Sequence, residues 1–433
     1  MYFQYIYCPM SFTKNCLLLI GLLLARHIAA SAQENIEIIN DQNIYRAMHI
    51  LASDSLKGRG NGTDDLLKAG LYIGQQFKEA GLLPLTGQPS FYLPFPYTHR
   101  IDNKAPDILA WNGKVVKPKK FIYVKTSPGR YSEKTIKDFT VIELDTCFTT
   151  DILAQYDKQG KDILLWTNHK QPGGEEYFPK LIKMIPGGLH HNLLLVYATE
   201  PPTTISLQGI PSYYSNVGYN VVGMLPGKTK PNEIVIFSAH YDHVGINENV
   251  QGDNIYNGAN DDASGTTAVL MLANFFAKQN DNARTILFCA FAGEELGLYG
   301  SSYFVPYLDP KSIIANINIE MIGVPQYGKN AAMITGYRES TLPKMLNEEM
   351  KKLDINLKAD RKPERNLYRR SDNYSFVTWG VPAHSIMGSD DDDPCYHKPC
   401  DDLKHIDIKY MTKIIRAIAI SSQIIIDGTA TPK

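Results

Sequence analysis

Apolar segments that alternate with a helical segment in the second half of the sequence constrain its fold more than any other feature. The segments that read as strands are "EIVIFSAH", "RTILFCAFAG", "IANINIEMIG" and "PAHSIMG", and "ASGTTAVLMLANFFAKQ" has the spacing of a helix. Near-continuous apolar strands alternating with helices are typical of parallel sheets that are buried on both faces. The sequence therefore predicts an α/β fold with a mixed, mostly parallel sheet covered by helices on both faces.

The N-terminal residues have the pattern of a signal peptide. Residues 1–32 contain Lys14, a short apolar core and the small residues Ala-Ser-Ala. The core is too short to span a membrane, and the small residues match a cleavage site. We therefore expect an exported protein, periplasmic or secreted, with cleavage near Ala32. The alternative is an N-terminal membrane anchor.

The pattern of apolar and turn-forming residues changes twice after this segment. Residues 35–100 have apolar residues at helical spacing, with Thr63 as a predicted N-cap, and we assign them to the main domain as its N-terminal helical part. Residues 101–215 carry short β-type runs separated by Gly, Pro and Lys, and one helical stretch, "EEYFPKLIKMI". We interpret this part as a β-rich insert and residues 216–430 as the main α/β domain.

Charge and hydropathy narrow the possible partners. The formal net charge of the 433 residues is -1, and no basic stripe is visible, so nothing favours nucleic acid. The closing segment "DIKYMTKIIRAIAISSQIII" reads as an amphipathic helix, in which Lys409, Lys413 and Arg416 argue against a membrane span. We expect that the mature chain has no membrane span and that the protein is a monomer.

Carboxylates and histidines stand where the predicted strands end. They are His240 and Asp242 after the first strand, Asp261 and Asp262 before the helix, Glu294 and Glu295 after the second strand, Glu320 in the third, and His397 beyond the fourth. In open parallel sheets, sites form at the carboxyl ends of the strands. We therefore expect these residues to meet at one edge of the sheet.

The residue types at this edge favour a zinc centre. Imidazoles and carboxylates without a thiolate suit a hydrolytic zinc site, and the carboxylates are too many for one ion. Two zinc ions about 3.5–4 Å apart, sharing a carboxylate, would balance the charge. We expect one of Glu294 and Glu295 to bind metal and the other to accept a proton from the attacking water. Asp242, two residues from His240, is predicted to accept the ring N–H of that histidine.

Six segments together resemble the co-catalytic zinc aminopeptidases, family 28 of the metallopeptidases in clan MH. The segments are "SAHYDHVG", "GANDDASG", "FAGEELGLYGS", "NINIEMIG", "RRSDNYSFVTWGVPAHS" and "CYHKPCDDL". Single motifs of this kind are weak, but six in order are specific. Relatives in that family include bacterial leucyl aminopeptidases, glutamate carboxypeptidase, glutaminyl cyclases and transferrin receptors. The resemblance implies a zinc-exopeptidase fold, with the insert at the place of a protease-associated domain.

The resemblance also implies roles for individual residues. One zinc would lie on His240, Asp261 and Glu320, and the second on Asp261, Glu295 and His397, so two Zn²⁺ are expected per chain. Glu294 would be the catalytic base, Tyr396 would stabilise the oxyanion, and Asp372 would be an acid close to the site. Two positions depart from the family pattern: Glu320 is commonly Asp, and Asn373 stands where His is common.

Other polar residues near these motifs have simpler interpretations. We expect His243 and His384 to be packed or hydrogen-bonded rather than ligands, and the run 390–393 to be a solvated loop. Cys395 and Cys400 would close a small loop as a disulfide in an oxidising compartment. The alternative for the two cysteines is metal ligation.

These observations together predict an exported zinc exopeptidase, an aminopeptidase that acts on peptides with a free N-terminus. A carboxypeptidase of the glutamate type, with Arg369 and Arg370 as a basic pocket, and a glutaminyl cyclase are alternatives within the same family. A non-catalytic, receptor-like binding protein is an alternative of another class.

Overall fold

The computed structural model describes residues 35–100, 107–126, 132–146, 161–169, 189–209 and 213–433. The predicted signal peptide and the predicted helix "EEYFPKLIKMI" lie outside the described residues. Among the helices of these ranges, none combines the length and the apolar character that a bilayer crossing needs.

The secondary structure of the described residues alternates between helices and strands after residue 213. The α-helices are α1 (Asp41–Leu51), α2 (Asp64–Glu79), α3 (Gly265–Gln279), α4 (Tyr299–Phe304), α5 (Leu342–Lys351), α6 (Asn373–Val377), α7 (Ile408–Ser421) and α8 (Gln423–Ile426). The strands are β1 (Leu83–Pro84), β2 (Tyr92–Arg100), β3 (Ile108–Trp111), β4 (Lys114–Val115), β5 (Phe121–Lys125), β6 (Lys134–Thr135), β7 (Phe139–Glu143), β8 (Asp162–Thr167), β9 (Leu193–Tyr197), β10 (Ile205–Gln208), β11 (Tyr213–Leu225), β12 (Lys230–His240), β13 (Gly245–Ile246), β14 (Ile255–Tyr256), β15 (Arg284–Phe291), β16 (Ile313–Glu320), β17 (Ala331–Ile334), β18 (Asn356–Ala359) and β19 (Ala383–Met387).

The sheet at the centre of the molecule is mixed and mostly parallel, as predicted. Its order within the described residues is β18-β17-β19-β16-β12-β15-β11, and the pairs β15/β12, β12/β16 and β16/β19 are parallel. Every residue of β15 and of β19 is buried, which explains why most of their residues are apolar. The carboxyl ends of the four strands β15, β12, β16 and β19 therefore lie at one edge.

Helices cover both faces of this sheet. Along β12, Val235 and Phe237 pack into the core that α1, α2, α3, α5 and α7 share. Ile236 points to the other face, where Phe304 of α4 and Phe376 of α6 form a smaller core. Because side chains alternate across a strand, one apolar run supplies both layers.

The sequence pattern did not reveal the long strand β11. It pairs antiparallel with β15 and with β2, and parallel with β5 at its start. Its segment "YYSNVGYNVVGML" carries Asn and Gly among its apolar residues, so it lacks the continuous apolar run of its neighbours. This strand joins the insert to the main sheet.

The insert is rich in β structure, as expected. Strands β5, β9, β8 and β7 extend the main sheet beyond β11, and β4, β3, β10 and β6 form a second sheet. Separate apolar cores lie around Leu165 and around Trp111. The likeness to a protease-associated domain stays a prediction.

Candidate metal centre

The predicted ligands converge at the carboxyl edge of the parallel strands. His240 is the last residue of β12, and Glu320 is the last residue of β16. Glu295 follows β15, Asp261 precedes α3, and His397 follows β19. The ends of β12 and β16, the loops after β15 and β19, and the start of α3 thus bring five distant sequence positions together around Asp261.

His240 and Glu320 form one half of this centre with Asp261. The Nε2 atom of His240 lies 3.2 Å from Asp261 Oδ1 and 3.2 Å from Glu320 Oε1. The Ser371 hydroxyl donates to the other oxygen of Glu320, and Ser371 itself accepts from Asn318 Nδ2 at 2.8 Å. The longer Glu side chain at position 320 is therefore held with one oxygen towards His240.

His397 and Glu295 form the other half, again with Asp261. His397 Nε2 lies 3.1 Å from Asp261 Oδ2 and 3.2 Å from Glu295 Oε1. Asp261 thus offers one carboxylate oxygen to each half, the arrangement expected of a residue that bridges two metal ions.

The Asp261 carboxylate is fixed by the backbone around it. The Asp261–Asp262 peptide bond is cis. The buried carboxylate of Asp401 accepts the backbone N–H groups of Asn260, at 2.8 Å, and of Asp261, at 3.1 Å. Asp262 accepts from the backbone N–H of Met321 at 3.0 Å, which ties this turn to the end of β16.

Asp242 has a different partner from the one predicted. The Nδ1 atom of His240 lies 3.1 Å from the backbone carbonyl of Asp242, whereas the nearest carboxylate oxygen is 3.8 Å away. The carboxylate instead accepts the backbone N–H groups of Glu294 and Glu295, each at 3.2 Å, and Asn61 Nδ2 at 2.6 Å. The prediction of a carboxylate–imidazole bond was wrong because β12 ends at His240, and beyond the strand the two side chains need not share a face.

His243 lies inside the cluster, which sequence reasoning did not predict. Its ring is buried, as expected of a packed histidine, and Nδ1 lies 2.8 Å from Glu295 Oε1. Its backbone N–H donates to the carbonyl of Arg59 at 3.1 Å, so the segment after β12 is held by the N-terminal part of the chain. The repeated histidine in "HYDH" was the one sequence signal that pointed to it.

The cluster favours positive charge at its centre. Burial opposes protonation of His397, but contacts with Asp261 and Glu295 raise its pKa to about 10. Burial likewise opposes the charge on Glu295, and hydrogen bonds from His243 and His397 nevertheless lower its pKa to about 2. The carboxylates outnumber the imidazoles, so the site stabilises cations, whether protons or metal ions.

The donor atoms fit zinc in both halves. His397 Nε2 is buried and close to two carboxylate oxygens, yet it makes no hydrogen bond of good geometry. Zinc bonds of about 2.0–2.1 Å in a tetrahedron place neighbouring donor atoms roughly 3.4 Å apart. The separations of 3.1–3.2 Å around Asp261 are close to that value.

Tyr396 lies beside the cluster in a loop closed by a disulfide. Its ring stacks on His397 with centroids 4.0 Å apart. Burial and the carboxylates around it raise the pKa of Tyr396, so the hydroxyl keeps its proton and can donate a hydrogen bond. The structure contains the Cys395–Cys400 disulfide, with Cα atoms 5.3 Å apart, which brackets Tyr396 and His397.

Asp372 is the remaining predicted residue near the site. It is fully buried just before α6, and burial raises its pKa to about 7. Asn373, at the position where His is common in the family, accepts from the Ser385 hydroxyl of β19 at 2.9 Å and so packs against the sheet.

A small cavity lies beside the His240 half of the centre and reaches the bridging Asp261. Its volume is about 40 Å³. Its lining consists of Asp261, Glu294, Glu320, Met321, Leu367, Arg370, Ser371, Met387, Asp391 and Tyr396. Larger cavities of about 410 and 520 Å³ lie elsewhere, and neither is lined by a predicted metal ligand. We assign the reacting groups to the small cavity, because Asp261, Glu294, Glu320 and Tyr396 all line it.

The acidic run 390–393 is not the solvated loop that we expected. Asp390 and Asp393 are buried; Asp390 accepts from the Tyr327 hydroxyl at 2.5 Å, and Asp393 contacts His405 Nε2 at 2.8 Å. Asp391 accepts from Arg365 at 2.7 Å and from Arg370 at 2.8 Å. These bonds fold the loop that carries His397 against the sheet.

Comparison with known proteins places this arrangement in one family. Residues 220–421 match the family described as "Peptidase family M28", and this segment contains all the predicted ligands. The chain is 27% identical over 209 residues to Aminopeptidase YwaD of Bacillus subtilis, and 46% identical over 85 residues to a probable zinc metalloprotease of Pyricularia oryzae. These matches cover 45% and 19% of the chain, and the chain spans only 42% and 16% of those two relatives.

Solved structures show the same fold over more of the chain. An aminopeptidase from Aneurinibacillus sp. strain AM-1 superposes with a TM-score of 0.56 and 18% identity, covering 91% of this chain and 95% of its own. A zinc aminopeptidase from Bacillus subtilis superposes with a TM-score of 0.54 and 17% identity, covering 90% and 97%. At these identities the likeness concerns the fold.

Proposed function

Because this chain belongs to peptidase family M28 through its residues 220–421, we propose that it is a zinc-dependent exopeptidase, an aminopeptidase that removes residues from the free N-terminus of peptides. One observation carries the proposal. The buried carboxylate of Asp261 directs one oxygen to the His240 half of the centre and the other to the His397 half. The names of the relatives, aminopeptidase and zinc metalloprotease, support the same reaction class.

Five side chains would hold the two zinc ions. They are His240, Asp261 and Glu320 for one ion, and Asp261, Glu295 and His397 for the other. Zinc supplies Lewis acidity, which lowers the pKa of water from 15.7 towards roughly 7 and polarises a carbonyl group. Two of these ligands are held by hydrogen bonds: Ser371 donates to Glu320, and the backbone N–H groups of Asn260 and Asp261 donate to Asp401.

Glu294 is the proton carrier in this proposal. It lines the cavity next to Asp261 and Glu320. Burial, with the charges of Glu320 and Glu295 beside it, raises the pKa of Glu294 well above its usual range. A carboxylate of raised pKa accepts a proton from the attacking water and later releases it to the leaving amine. The Tyr396 hydroxyl donates to the oxygen on which negative charge develops.

The charges around the cavity favour an aminopeptidase over a carboxypeptidase. Recognition of a free C-terminus needs an available cation, but Arg370 is paired with Asp391 at 2.8 Å. Arg369 lies over the Tyr374 ring, 5.6 Å from its centroid, and lines a different cavity.

Export is proposed on the sequence of residues 1–32 and on the disulfide. A Cys395–Cys400 bond persists in an oxidising compartment such as the periplasm or the exterior of the cell. Mass spectrometry of protein made with its own N-terminus tests this, with a mature form that begins near Ala32 as the expected result.

A panel of aminoacyl chromogenic amides, each with its N-acetylated counterpart, tests the reaction. We expect turnover of the free amines, no turnover of the acetylated forms, and complete loss of activity with a chelator that zinc reverses. Release of residues only from the C-terminus of blocked peptides would make the protein a carboxypeptidase. Cyclisation of an N-terminal glutamine without peptide hydrolysis would make it a glutaminyl cyclase.

A further inference from the structure

His243 occupies a ligand-like position in the His397 half of the centre. Its Nδ1 atom lies 2.8 Å from Glu295 Oε1 and 3.8 Å from Asp261 Oδ2. Only 1% of the residue is exposed, so water does not compete for this nitrogen. The ring meets the His397 ring edge to face, with centroids 5.4 Å apart, and both imidazoles direct a nitrogen towards the same carboxylates.

Four donors lie close enough around this point to bind one metal ion. Donor atoms of His243, Asp261, Glu295 and His397 all lie within 4.8 Å of one another. Four of the six separations between them are 2.8, 3.8, 3.1 and 3.2 Å. Their mean is close to the edge of roughly 3.4 Å that zinc bonds of about 2.0–2.1 Å require. The set of two imidazoles and two carboxylates is chemically suited to zinc.

Hydrogen bonding alone accounts less well for the same contacts. Glu295 Oε1 faces His243 Nδ1 at 2.8 Å and His397 Nε2 at 3.2 Å, so hydrogen bonds to both would need a proton on each nitrogen. His397 Nε2 has no hydrogen bond of acceptable geometry. A cation between the four donors binds the lone pairs of His243 Nδ1 and His397 Nε2 without those protons.

We propose that His243 is a fourth protein ligand of the metal ion held by Asp261, Glu295 and His397. The inference rests on the proposed two-metal function and deepens it. With four protein ligands this ion has no open position, as in structural zinc sites, whereas His240, Asp261 and Glu320 leave one open, as in catalytic sites. The two ions are therefore inequivalent, and the one bound by His243 is held more tightly.

Calorimetric titration of zinc into chelator-treated protein tests this assignment, with cobalt absorption as a second readout. The parent should bind two equivalents. His243→Ala should weaken one equivalent by more than the 10–100-fold loss that outer-shell partners typically cause, and should change the visible spectrum of that cobalt ion. The other equivalent should keep its affinity, which also shows that the variant is folded.

Two further variants separate ligation from hydrogen bonding. His243→Asn keeps an N–H near the Nδ1 position, so it can still donate to Glu295 but has no imidazole lone pair. Loss of one equivalent in this variant as well supports ligation. Parental affinity with an unchanged cobalt spectrum would show that His243 only positions Glu295. His384→Asn removes a buried imidazole outside the centre and should bind both metals normally. A parent that binds no metal would overturn the proposed function itself.

Discussion

Glu294 and Glu295 are neighbours in the chain, yet they face different partners. Glu295 contacts the imidazoles of His243 and His397, and its pKa is lowered to about 2. Glu294 lines the cavity, and burial raises its pKa well above its usual range. Two carboxylates with opposite shifts in adjacent positions are suited to separate roles, one as a metal ligand and one as a proton carrier.

The first prediction separates these roles by exchange of each carboxylate for an amide. Glu294→Gln should keep both metal ions and the fold but lose about 10²–10⁴-fold in kcat, the usual contribution of a general base. Glu295→Gln should lower the metal content, because an amide is a poorer zinc ligand than a carboxylate. Metal analysis and steady-state kinetics of both variants test these roles. Loss of metal in Glu294→Gln, with loss of kcat alone in Glu295→Gln, would reverse the assignment.

The second prediction concerns the unusual Glu at position 320. One oxygen of Glu320 lies 3.2 Å from His240 Nε2 and the other accepts from Ser371, so we expect it to bind metal. Glu320→Ala should weaken one equivalent of zinc by more than about 10-fold, since it removes a ligand and not only an outer-shell contact. Glu320→Asp should keep most of the activity, because zinc imposes no geometry of its own. If calorimetry shows that Glu320→Ala binds both zinc ions with the same affinities as the parent, Glu320 is not a ligand.

At the scale of elements, short loops bear most of the predicted site residues, and hydrogen bonds to buried carboxylates hold two of those loops in place. The turn with Glu294 and Glu295 is hydrogen-bonded to the Asp242 carboxylate. The turn with Asp261 is hydrogen-bonded to the Asp401 carboxylate. In both cases a buried carboxylate accepts two backbone N–H groups from the loop. The strands of the sheet thus determine where each loop begins. The two carboxylates fix the backbone of the loops and so position their functional side chains.

The third prediction tests the disulfide loop that carries Tyr396 and His397. A disulfide across a loop this short lowers the conformational entropy of the open form. This favours the ordered form of the loop by about 2 kcal/mol of free energy. The double variant Cys395→Ser/Cys400→Ser should therefore bind the His397-side metal roughly 10–30-fold more weakly, with the His240-side metal unchanged. Zinc titration measures both affinities. Cys289→Ala removes a buried free thiol and serves as the control. Equal affinities in the double variant and the parent would show that the Asp393 and Asp391 contacts alone hold the loop.

At the scale of the whole molecule, the N-terminal helical part and the sheet form one structure around the centre. The buried Arg59 side chain donates to the carbonyls of Tyr241 at 2.8 Å, Asn257 at 2.6 Å and Gly258 at 2.9 Å. These three carbonyls lie on the chain between His240 and Asp261. The segment "KGRGN" therefore supports the back of the centre from a part of the sequence nearly two hundred residues away.

The fourth prediction concerns the acid stability of the fold. His384 is buried; its Nδ1–H donates to the Thr335 carbonyl at 2.7 Å, and Nε2 accepts from the Ser340 hydroxyl at 2.7 Å. Burial lowers its pKa to about 4, below the unfolded value of about 6.5. Between these values the unfolded chain binds a proton that the folded chain does not, so stability falls as the pH falls.

The expected loss through His384 between pH 7 and pH 5 is about 2 kcal/mol of unfolding free energy. Urea unfolding at both pH values should show an acid-induced decrease that is smaller by this amount in His384→Asn than in the parent. Substitution of the exposed His49 by Asn should leave the decrease unchanged. An equal decrease in His384→Asn and the parent would contradict the lowered pKa.

The sequence by itself determined the class of fold and the residues that meet at its functional edge. Apolar runs with the length of strands can be buried only in a sheet covered on both faces, and this sheet places His240, Asp261, Glu295, Glu320 and His397 together at its carboxyl edge. Local patterns also predicted the Thr63 cap of α2, whose side chain accepts from the Leu66 N–H. These are short-range signals, which periodicity and spacing express directly.

The tertiary structure alone decided how the side chains at that edge are directed. Beyond the end of β12, the Asp242 carboxylate accepts from the backbone of Glu294 and Glu295, and His243 contacts Glu295. The run 390–393 resembles a solvated loop by composition, yet Asp390 and Asp393 are buried because Tyr327 and His405 supply hydrogen bonds from other elements. Such contacts depend on residues that are distant in the chain, so no local pattern records them.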